Sequence, residues 1–559
     1  MSELPGADSE KRTVVTAALP YANYKPHLGH VAGVYLPADI YVRYLRLLGK
    51  DVIFVCGSDD HGVPITISAQ KEGATPPEIT AKYRRVQRRV FDGLGIEFDH
   101  YSGTSICPEH VALSQEFFTK IHERGDIDAR DTEQFFCTTC DRFLPDRYVE
   151  GTCPKCSAAG ARGDQCDTCG NSFEQTELID PHCATCSSIP EVRETRHWFF
   201  RLDRYQEQLE TWLDGREGWR ENVKNFALGI VRGGLPARSI TRDLAWGVPV
   251  PLEEAEGKSL YVWFDAPVGY ISFTKEWSKA IGDPDRWKRY WQSPESRIVH
   301  FLGKDNIIFH AVIWPAMLMA HGDYQLPTDI PANEYLNFAG EKFSKSKGVG
   351  VWADDILARY PADRVRYYLA ANAPEGRDTN FSWEDFIARN NDDLSDVVGN
   401  LGHRVFTFVD RYFKGKVPAG GAEGSTMEAL LPQIASHRDR WRKALGRYRF
   451  REALGVAVDL ARVGNRAFDA AEPWKSRKED VEKCGRDLAA LLELVRAVSG
   501  LLTPFLPDTA GKIWATFGSG SATPTPAEIA GLGRDTLADG QPLTPPGIVF
   551  PRLELAEEK

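Results

Sequence analysis

Eight of the eleven cysteines in this 559-residue sequence form four Cys-x-x-Cys pairs. The pairs are Cys137/Cys140, Cys153/Cys156, Cys166/Cys169 and Cys183/Cys186. This motif is the usual half-site of a tetrahedral four-sulfur zinc centre, and thiolates are ligands that Zn²⁺ prefers. Four half-sites predict two structural zinc sites, although the spacing between the pairs permits more than one pairing. A redox role would need only one or two such motifs.

A short segment near the N-terminus, PHLGH at residues 26–30, carries groups that could bind phosphate. It lies between a predicted strand and a predicted helix, and a helix N-terminus presents N–H groups to an anion. Gly29 would permit close approach to the backbone, and His27 and His30 would add side-chain donors. Taken alone, the two histidines are more typical of a solvated turn.

A second cationic segment, GEKFSKSKGVG, spans residues 340–350. Lys342, Ser344 and Lys345 lie in a glycine-flanked loop that could close on a polyphosphate and stabilise charge on a leaving group. The order of residues is not that of a P-loop. Taken alone, this segment is more typical of a solvated basic loop.

The elements that would position these groups follow from short apolar runs. A strand at 13–19, a helix at 28–48 and a strand at 51–56 predict a βαβ unit and hence a parallel sheet, with a kink in the helix at Pro37. The first turn lacks GxGxxG, which excludes a dinucleotide-binding fingerprint. Strand and helix patterns return after the cysteine-rich segment, with a strand at 259–264, a strand at 298–302 and a helix at 305–321. The cysteine-rich segment is therefore predicted to be an insertion into one α/β domain.

The last third of the sequence has a helical pattern from about residue 385 to the 510s. The segment 417–426 is predicted to be a loop between helices, and 518–533 is predicted to be a flexible linker. Overall composition is that of a globular protein, with 42% hydrophobic and 26% charged residues, which excludes fibrous and wholly disordered classes.

The net charge of −11 argues against a protein that coats nucleic acid through bulk positive charge. No apolar run approaches the roughly 18–20 residues needed to cross a bilayer, and the polar N-terminus is unlike a signal peptide. We therefore expect a cytoplasmic protein without a membrane partner.

Five motifs in sequence order are similar to those of one enzyme family. ALPYANYKPHLGH, GSDDHG, YVWFDAPVGY, FLGKDNIIFH and KFSKSKG resemble the methionyl branch of the class I aminoacyl-tRNA synthetases, over nearly the whole chain. Leu28 and Phe343 differ from the HIGH and KMSKS signatures of the class, but each replaces one apolar residue by another.

The resemblance implies a fold and a division of the chain. The fold is an α/β, Rossmann-like parallel-sheet catalytic domain split by a zinc-knuckle insertion and followed by an all-α anticodon-binding helical bundle. The implied division is a disordered arm at 1–12, the first catalytic half at 13–125, the connective insertion with two zinc knuckles at 126–235, the second catalytic half at 236–332, the KFSKS loop and stem-contact region at 333–390, the anticodon-binding domain at 391–540 and a tail at 541–559.

The resemblance also implies a reaction. L-Methionine and ATP would form methionyl-adenylate and pyrophosphate, and methionine would then pass to the 3′ end of tRNA(Met), with Mg²⁺ accompanying ATP. His27, His30, Lys342 and Lys345 would be catalytic, and the ATP-binding residues would be His27, Gly29, His30, Lys342, Ser344 and Lys345. The two zinc ions would pair Cys153/Cys156 with Cys166/Cys169 and Cys137/Cys140 with Cys183/Cys186.

Two further sets of residues match the binding positions of the family. Asp59 would bind the methionine ammonium, and it directly follows an apolar strand, where α/β sheets bind ligands. The methionine pocket would consist of Leu19, Tyr21, Asp59, Trp263, Ala266, Pro267, Tyr270, Asn306 and His310. Asn400 and Arg404, four apart on one helix face, and Trp474, in a segment between helices, would read the anticodon.

Two alternatives remain at this stage. One is a class I synthetase for cysteine or a branched-chain amino acid, although the roughly 65-residue cysteine-rich stretch is too short for a large editing domain. The other is a non-catalytic, zinc-containing RNA-binding paralogue, which would be expected to lose HLGH, KFSKS or Asp59. Because no further tRNA-binding domain follows the helical part, we expect a monomer.

Overall fold

The computed structural model describes residues 12–163, 166, 168–169, 173, 175–338, 341–342 (backbone only), 350–419, 428–518 and 520–554. The predicted N-terminal arm therefore lies outside the described residues except for Arg12, which begins the first strand. Within these ranges, no helix is both long and apolar enough to cross a membrane.

A five-stranded sheet forms the centre of the α/β body, and every pairing in it is parallel. Its strands are buried on both faces, which explains why they appear in the sequence as continuous apolar runs. The parallel sheet expected from the βαβ pattern is confirmed. In sheet order the strands are Ala332–Asn333, Ser296–Gly303, Arg12–Ala17, Val52–Ser58 and His100–Gly103.

Helices flank this sheet and carry several of the predicted site residues. They are Val63–Glu72, Pro76–Gly93, His110–Glu123, Val262–Asp265, Val268–Ala280, Lys288–Trp291 and Trp314–His321. A 3-10 turn at Lys304–Asn306 and a π-helical turn at Phe309–Ile313 precede the last of them, which confirms the helical run predicted at 305–321.

The strand predicted at 259–264 is wrong for most of its length. Only Ser259–Leu260 is a strand, paired with Thr241–Arg242, and Val262–Asp265 is helical. The periodicity of a short apolar run does not distinguish a strand from a buried helical turn, so tertiary packing decides which of the two forms.

The first long helix spans 28–47 and contains a π-helical turn at Val31–Tyr35 between the α-helical segments Leu28–His30 and Leu36–Leu47. This turn directly precedes Pro37, where the sequence predicts a kink, and proline has no N–H to donate to the preceding turn. The side chain of Asn333 donates instead to the carbonyl of Gly33, at 2.7 Å. Arg220 in turn donates to Asn333 Oδ1 at 2.7 Å.

The cysteine-rich insertion leaves the body after the helix His110–Glu123 and is built on a long antiparallel pair, Ile127–Cys137 with Glu191–Phe200. Its other strands are Arg142–Phe143, Val149–Thr152, Ala159–Arg162, Ile179–Cys183 and Arg238–Ser239, and its helices are Gln206–Asp214 and Glu221–Arg232. The predicted insertion between halves of one parallel sheet is confirmed.

After the body, a small sheet and a helical bundle complete the described chain. The sheet consists of Glu341–Lys342, Leu336–Phe338 and Thr379–Phe381, and the helices beside it are Ala353–Leu357, Ala362–Ala371 and Trp383–Arg389, followed by a π-helical stretch at Asn390–Gly399. The bundle helices are Asn400–Phe413, Leu430–Leu445, Phe450–Ala471, Pro473–Glu479, Val481–Leu502, Pro507–Ala515 and Pro526–Gly531.

Two expectations for this part of the chain are corrected. Trp474 lies inside the short helix Pro473–Glu479 rather than between helices. The predicted linker at 518–533 contains the helix Pro526–Gly531, because the side chain of Ile529 is buried in the bundle core. Most of the predicted loop at 417–426 lies outside the described residues.

A wholly buried arginine joins the bundle to the body. Arg366 donates to Asp39 Oδ2 at 2.7 Å, to the carbonyl of Leu94 at 3.1 Å, and to the carbonyls of Pro504 and Phe505 at 2.9 and 2.8 Å. Burial by itself would raise the pKa of Asp39, but the Arg366 and Arg43 guanidinium groups hold it below its usual value. The helix 28–47 is thereby tied to the bundle.

We expect Arg366→Ala to lower the free energy of unfolding by about 3–5 kcal/mol, because Asp39 would remain buried without this partner. Arg552, whose ion pair with Asp396 is exposed, provides the control, and Arg552→Ala is expected to cost about 0–1 kcal/mol. Urea denaturation of the three proteins measures the difference. Equal losses for the two variants would contradict the role of Arg366.

Candidate functional site

One cavity of about 260 Å³ lies where the strands Arg12–Ala17 and Val52–Ser58 end. The carboxyl ends of parallel strands are where open α/β sheets bind ligands. The structure brings all nine residues of the predicted amino-acid pocket to this cavity, together with the histidine turn. The lining includes Leu19, Tyr21, His27, Gly29, His30, Asp59, Trp263, Ala266, Pro267, Tyr270, Asn306 and His310.

Aromatic side chains form one wall of the cavity. Trp263 Nε1 donates to the hydroxyl of Tyr21 at 2.9 Å, and the Trp263 ring lies 4.1 Å from that of Phe309. Such a wall suits an apolar, polarisable side chain such as a thioether. Phe309 was not among the predicted residues, although it stands inside FLGKDNIIFH beside His310 and could have been found there.

His310 is buried behind this wall in a defined protonation state. Its Nδ1 lies 3.0 Å from the carbonyl of Asn306, which can only accept, and its Nε2 lies 2.8 Å from the hydroxyl of Tyr270. Burial lowers the pKa of His310 to about 4. The ring is therefore neutral at pH 7, with its hydrogen on Nδ1 and with Nε2 accepting from Tyr270. Asn306 contributes to this arrangement through its backbone.

Asp59 supplies a buried carboxyl group at the strand end. Its backbone pairs with the segment that carries Tyr21, through hydrogen bonds with Pro20 and Ala22 of 2.9 Å each. Burial raises the pKa of Asp59 well above its usual value, and the nearby carboxylates of Asp265 and Asp60 add to the shift. A cation that entered the cavity beside Asp59 would relieve this unfavourable charge.

The histidine turn starts the helix 28–47 at the edge of the cavity. His27 is the N-cap, and its Nδ1 accepts from the backbone N–H of His30, while His30 Nδ1 accepts from that of His27. In a neutral ring the hydrogen then lies on Nε2, which makes Nε2 the donor atom. A Cβ at Gly29 would stand 3.0 Å from the His27 ring and 3.3 Å from the Leu336 carbonyl, so glycine permits this close packing.

The lysine–serine segment is described only at its flanks, and Ser344 and Lys345 lie outside the described residues. The backbone of Lys342 pairs with Asn337, which neighbours the cavity-lining Leu336. After the segment, the carbonyl of Val351 accepts from the N–H of Leu28 at 3.1 Å. Both flanks thus lie beside the cavity or the histidine turn.

The eight paired cysteines form two clusters that fit tetrahedral zinc. Sγ–Sγ distances are 3.5 Å for Cys137–Cys186, 3.9 Å for Cys140–Cys183, 3.9 Å for Cys153–Cys169 and 3.7 Å for Cys156–Cys166. Tetrahedral geometry with a Zn–S bond of about 2.3 Å requires about 3.8 Å between sulfurs. The clusters pair the first motif with the fourth and the second with the third, as the resemblance implied.

The residues predicted to read RNA lie together on the bundle. Arg404 stacks on the ring of Phe468 with 4.3 Å to the centroid and forms an ion pair with Asp469. Trp474 is 42% exposed, and its ring lies 6.3 Å from that of Phe468. Asn400 lies one helical turn before Arg404 and donates to Asn465. Guanidinium, amide and exposed aromatic groups in one patch are typical of surfaces that bind single-stranded RNA.

Comparisons with known proteins cover almost the whole chain. A family model for "tRNA synthetases class I (M)" matches residues 13–406, and one for the "Anticodon binding domain of methionyl tRNA ligase" matches residues 417–559. The methionine–tRNA ligase of Chlorobaculum tepidum is 48% identical over 91% of this chain and 73% of its own length. The Pyrococcus furiosus enzyme is 46% identical over 90% and 71%.

A solved structure is also similar. The Mycobacterium tuberculosis methionyl-tRNA synthetase bound by methionyl-adenylate superposes with a TM-score of 0.79 at 29% identity, over 97% of this chain and all of that one.

We expect Cys183→Ser to reduce the zinc content of the purified protein from about two ions per chain to about one, because a cluster with three thiolates binds zinc less tightly. Cys484→Ser, at a buried thiol outside both clusters, is the control and should leave the zinc content unchanged. Metal analysis after dialysis measures both. Active wild-type protein that contained no zinc would contradict the assignment.

Proposed function

This chain belongs to the methionyl family of class I tRNA synthetases, and from that premise we propose how its residues perform the reaction. The protein is a methionine–tRNA ligase: it activates L-methionine with ATP to methionyl-adenylate and pyrophosphate, and then transfers methionine to the 3′ end of tRNA(Met). The observation that supports our proposal most is the single cavity that unites the histidine turn, Asp59 and the aromatic wall.

In the first step a methionine carboxylate oxygen attacks the α-phosphorus of ATP, and the bond to the departing pyrophosphate breaks. His27 and His30 would donate from Nε2 to phosphate oxygens, and the backbone at Gly29 would approach them closely. By resemblance, Lys342, Ser344 and Lys345 would follow the charge that develops on pyrophosphate. Mg²⁺ bound with ATP neutralises part of the phosphate charge.

Methionine would be recognised by the charge of its ammonium group and by the shape of its side chain. The Asp59 carboxylate would bind the ammonium group at the strand end. The thioether would pack against Trp263, Ala266, Pro267 and Tyr270, where a sulfur–aromatic contact contributes up to ~1.5 kcal/mol. A neutral His310 suits an uncharged thioether, because a buried imidazolium would be poorly solvated there. Leu19, Tyr21 and Asn306 would complete the pocket.

The zinc clusters and the bundle would serve the tRNA. The zinc ions are structural, because each has four sulfur ligands and no open position for a substrate. Asn400, Arg404 and Trp474 would bind the anticodon loop by hydrogen bonding and stacking. Because residues of one chain complete the cavity, we propose a monomer. Because none of the described cysteines forms a disulfide, we propose a reducing compartment, the cytoplasm.

Pyrophosphate exchange tests the activity. We expect ATP–pyrophosphate exchange to depend on methionine and to be far slower with cysteine, leucine, isoleucine or valine, because the cavity pairs an aromatic wall with a neutral histidine. Exchange that preferred one of those amino acids would favour another class I synthetase. No exchange with any amino acid would favour a non-catalytic paralogue.

Asp59→Asn and Trp474→Ala should impair different steps of the reaction. Asp59→Asn should raise the methionine KM in exchange at least roughly tenfold, since a charged contact is lost. Trp474→Ala should leave exchange unchanged and raise the tRNA KM in charging by roughly five- to a hundredfold, which corresponds to about 1–3 kcal/mol of stacking. If both variants impaired exchange equally, the separation of the two sites would be wrong.

The pH dependence should report Asp59 directly. Ammonium binding needs the carboxylate, and the raised pKa of Asp59 means that this form is lost as pH falls while an exposed aspartate is still ionised. We therefore expect kcat/KM for methionine to decline on the acidic side above the usual aspartate range. Asp59→Asn should abolish that decline, and an unchanged profile in this variant would contradict the assignment.

A further inference from the structure

A buried cluster of one carboxylate and two histidines lies directly behind the methionine cavity. Asp265 Oδ2 lies 2.6 Å from His61 Nδ1 and 3.3 Å from His110 Nε2. His110 Nδ1 lies 3.0 Å from the hydroxyl of Ser272. The side chains of Asp265 and His110 are wholly buried and that of His61 is 6% exposed. None of these residues lines the cavity.

This cluster connects the two elements that form opposite sides of the amino-acid site. His61 stands two residues after Asp59, and its backbone N–H lies 3.4 Å from Asp59 Oδ1. Asp265 ends the helix Val262–Asp265, which carries Trp263 and leads into Ala266 and Pro267. The contact between His61 and Asp265 therefore sets the position of the Asp59 loop relative to the aromatic wall.

The cluster also contributes negative charge close to the amino-acid site. Asp265 Oδ2 has two imidazole N–H donors, whereas Oδ1 is buried without a hydrogen-bond partner among the described residues. In the part of the chain that the structure describes, no arginine or lysine forms an ion pair with Asp59 or Asp265. The Asp265 carboxylate lies close enough to Asp59 to raise its pKa, so a cation that bound Asp59 would be attracted by both carboxylates.

We propose that Asp265 is a positioning residue for methionine recognition, which acts through His61 to hold the Asp59 carboxylate in place and adds a second negative charge behind it for the substrate ammonium. His110 and Ser272 hold Asp265 from the other side. This inference rests on the proposed role of Asp59, and it concerns residues that do not touch the substrate.

A metal ion is the competing explanation, because His61, His110 and Asp265 offer three ligand atoms close together. The 2.6 Å contact between His61 Nδ1 and Asp265 Oδ2 is a hydrogen-bond distance. Two side-chain donor atoms that ligate one zinc ion would instead lie farther apart, as the cysteine sulfurs do. We therefore assign the contact to direct hydrogen bonding, and metal analysis distinguishes the two explanations.

The test compares methionine with 4-(methylthio)butanoate, the analogue that lacks only the ammonium group. The methionine KM and the inhibition constant of the analogue are measured in ATP–pyrophosphate exchange with wild-type protein and with Asp265→Asn, which keeps an acceptor oxygen but removes the charge. We expect the methionine KM to rise roughly tenfold, the analogue constant to change less than about twofold, and kcat to change less than KM.

Glu276→Gln is the matched control, because Glu276 pairs with His100 in the same body at 2.9 Å but away from Asp59. It should change neither constant. If Asp265→Asn does not fold, His110→Gln tests the same chain of contacts and should give the same selective loss of methionine affinity.

Three outcomes would overturn the inference. Equal weakening of methionine and analogue would mean that the cluster only maintains the shape of the pocket. Unchanged constants would mean that Asp59 needs no such support. A third zinc ion per chain that is lost in Asp265→Ala would mean that the cluster binds metal. Wild-type protein without methionine-dependent exchange would instead refute the proposed function.

Discussion

The placement of the helix 28–47 is the constraint on which the rest of the molecule depends. Its first turn carries His27 and Gly29 at the cavity, so any shift along its axis would move these proposed phosphate-binding groups away from Asp59. Arg220, through Asn333, satisfies the carbonyl that Pro37 leaves without a donor, and Arg366 binds Asp39 on the following turns. Arg366 is wholly buried, Arg220 is partly buried, and each also donates to a carbonyl of the bundle segment. The bundle and the catalytic body are thus joined through the element that positions the active site.

The charged groups around the cavity are paired differently from those at these joints. At these joints the buried Arg366 guanidinium has an opposite partner in the Asp39 carboxylate, whereas Arg220 donates to backbone carbonyls and to the amide oxygen of Asn333. Around Asp59 the nearest buried charges are carboxylates, which raise its pKa and disfavour the empty site. A site that is incompletely balanced without its ligand gains more from binding a cation, at some expense of stability. In the proposed binding mode, the neutral His310 would lie on the thioether side and Asp59 on the ammonium side of the substrate.

The zinc clusters show how a segment with little apolar core keeps its shape. The insertion buries few large side chains around its cysteines, and four thiolates per ion replace the hydrophobic contacts that a small domain otherwise lacks. The long antiparallel pair then connects this insertion to the body near the cavity.

Local sequence patterns predicted much of the fold and many residues of the candidate site. Apolar runs at 13–19 and 51–56 predicted two central strands, the four Cys-x-x-Cys pairs predicted two zinc sites, and five motifs identified the family and the residues around the cavity. These patterns gave wrong predictions where the same residues can be buried in more than one secondary structure. At 259–264 most of the predicted strand is a helical turn, and Pro526–Gly531 is a helix within the predicted linker. Only the tertiary structure decided the cysteine pairing from the residues themselves, the donor that replaces the missing N–H of Pro37, the tautomer of His310 and the contact between Asp265 and His61. The energies of these contacts depend on distance and burial in the folded chain, which spacing along a sequence does not specify.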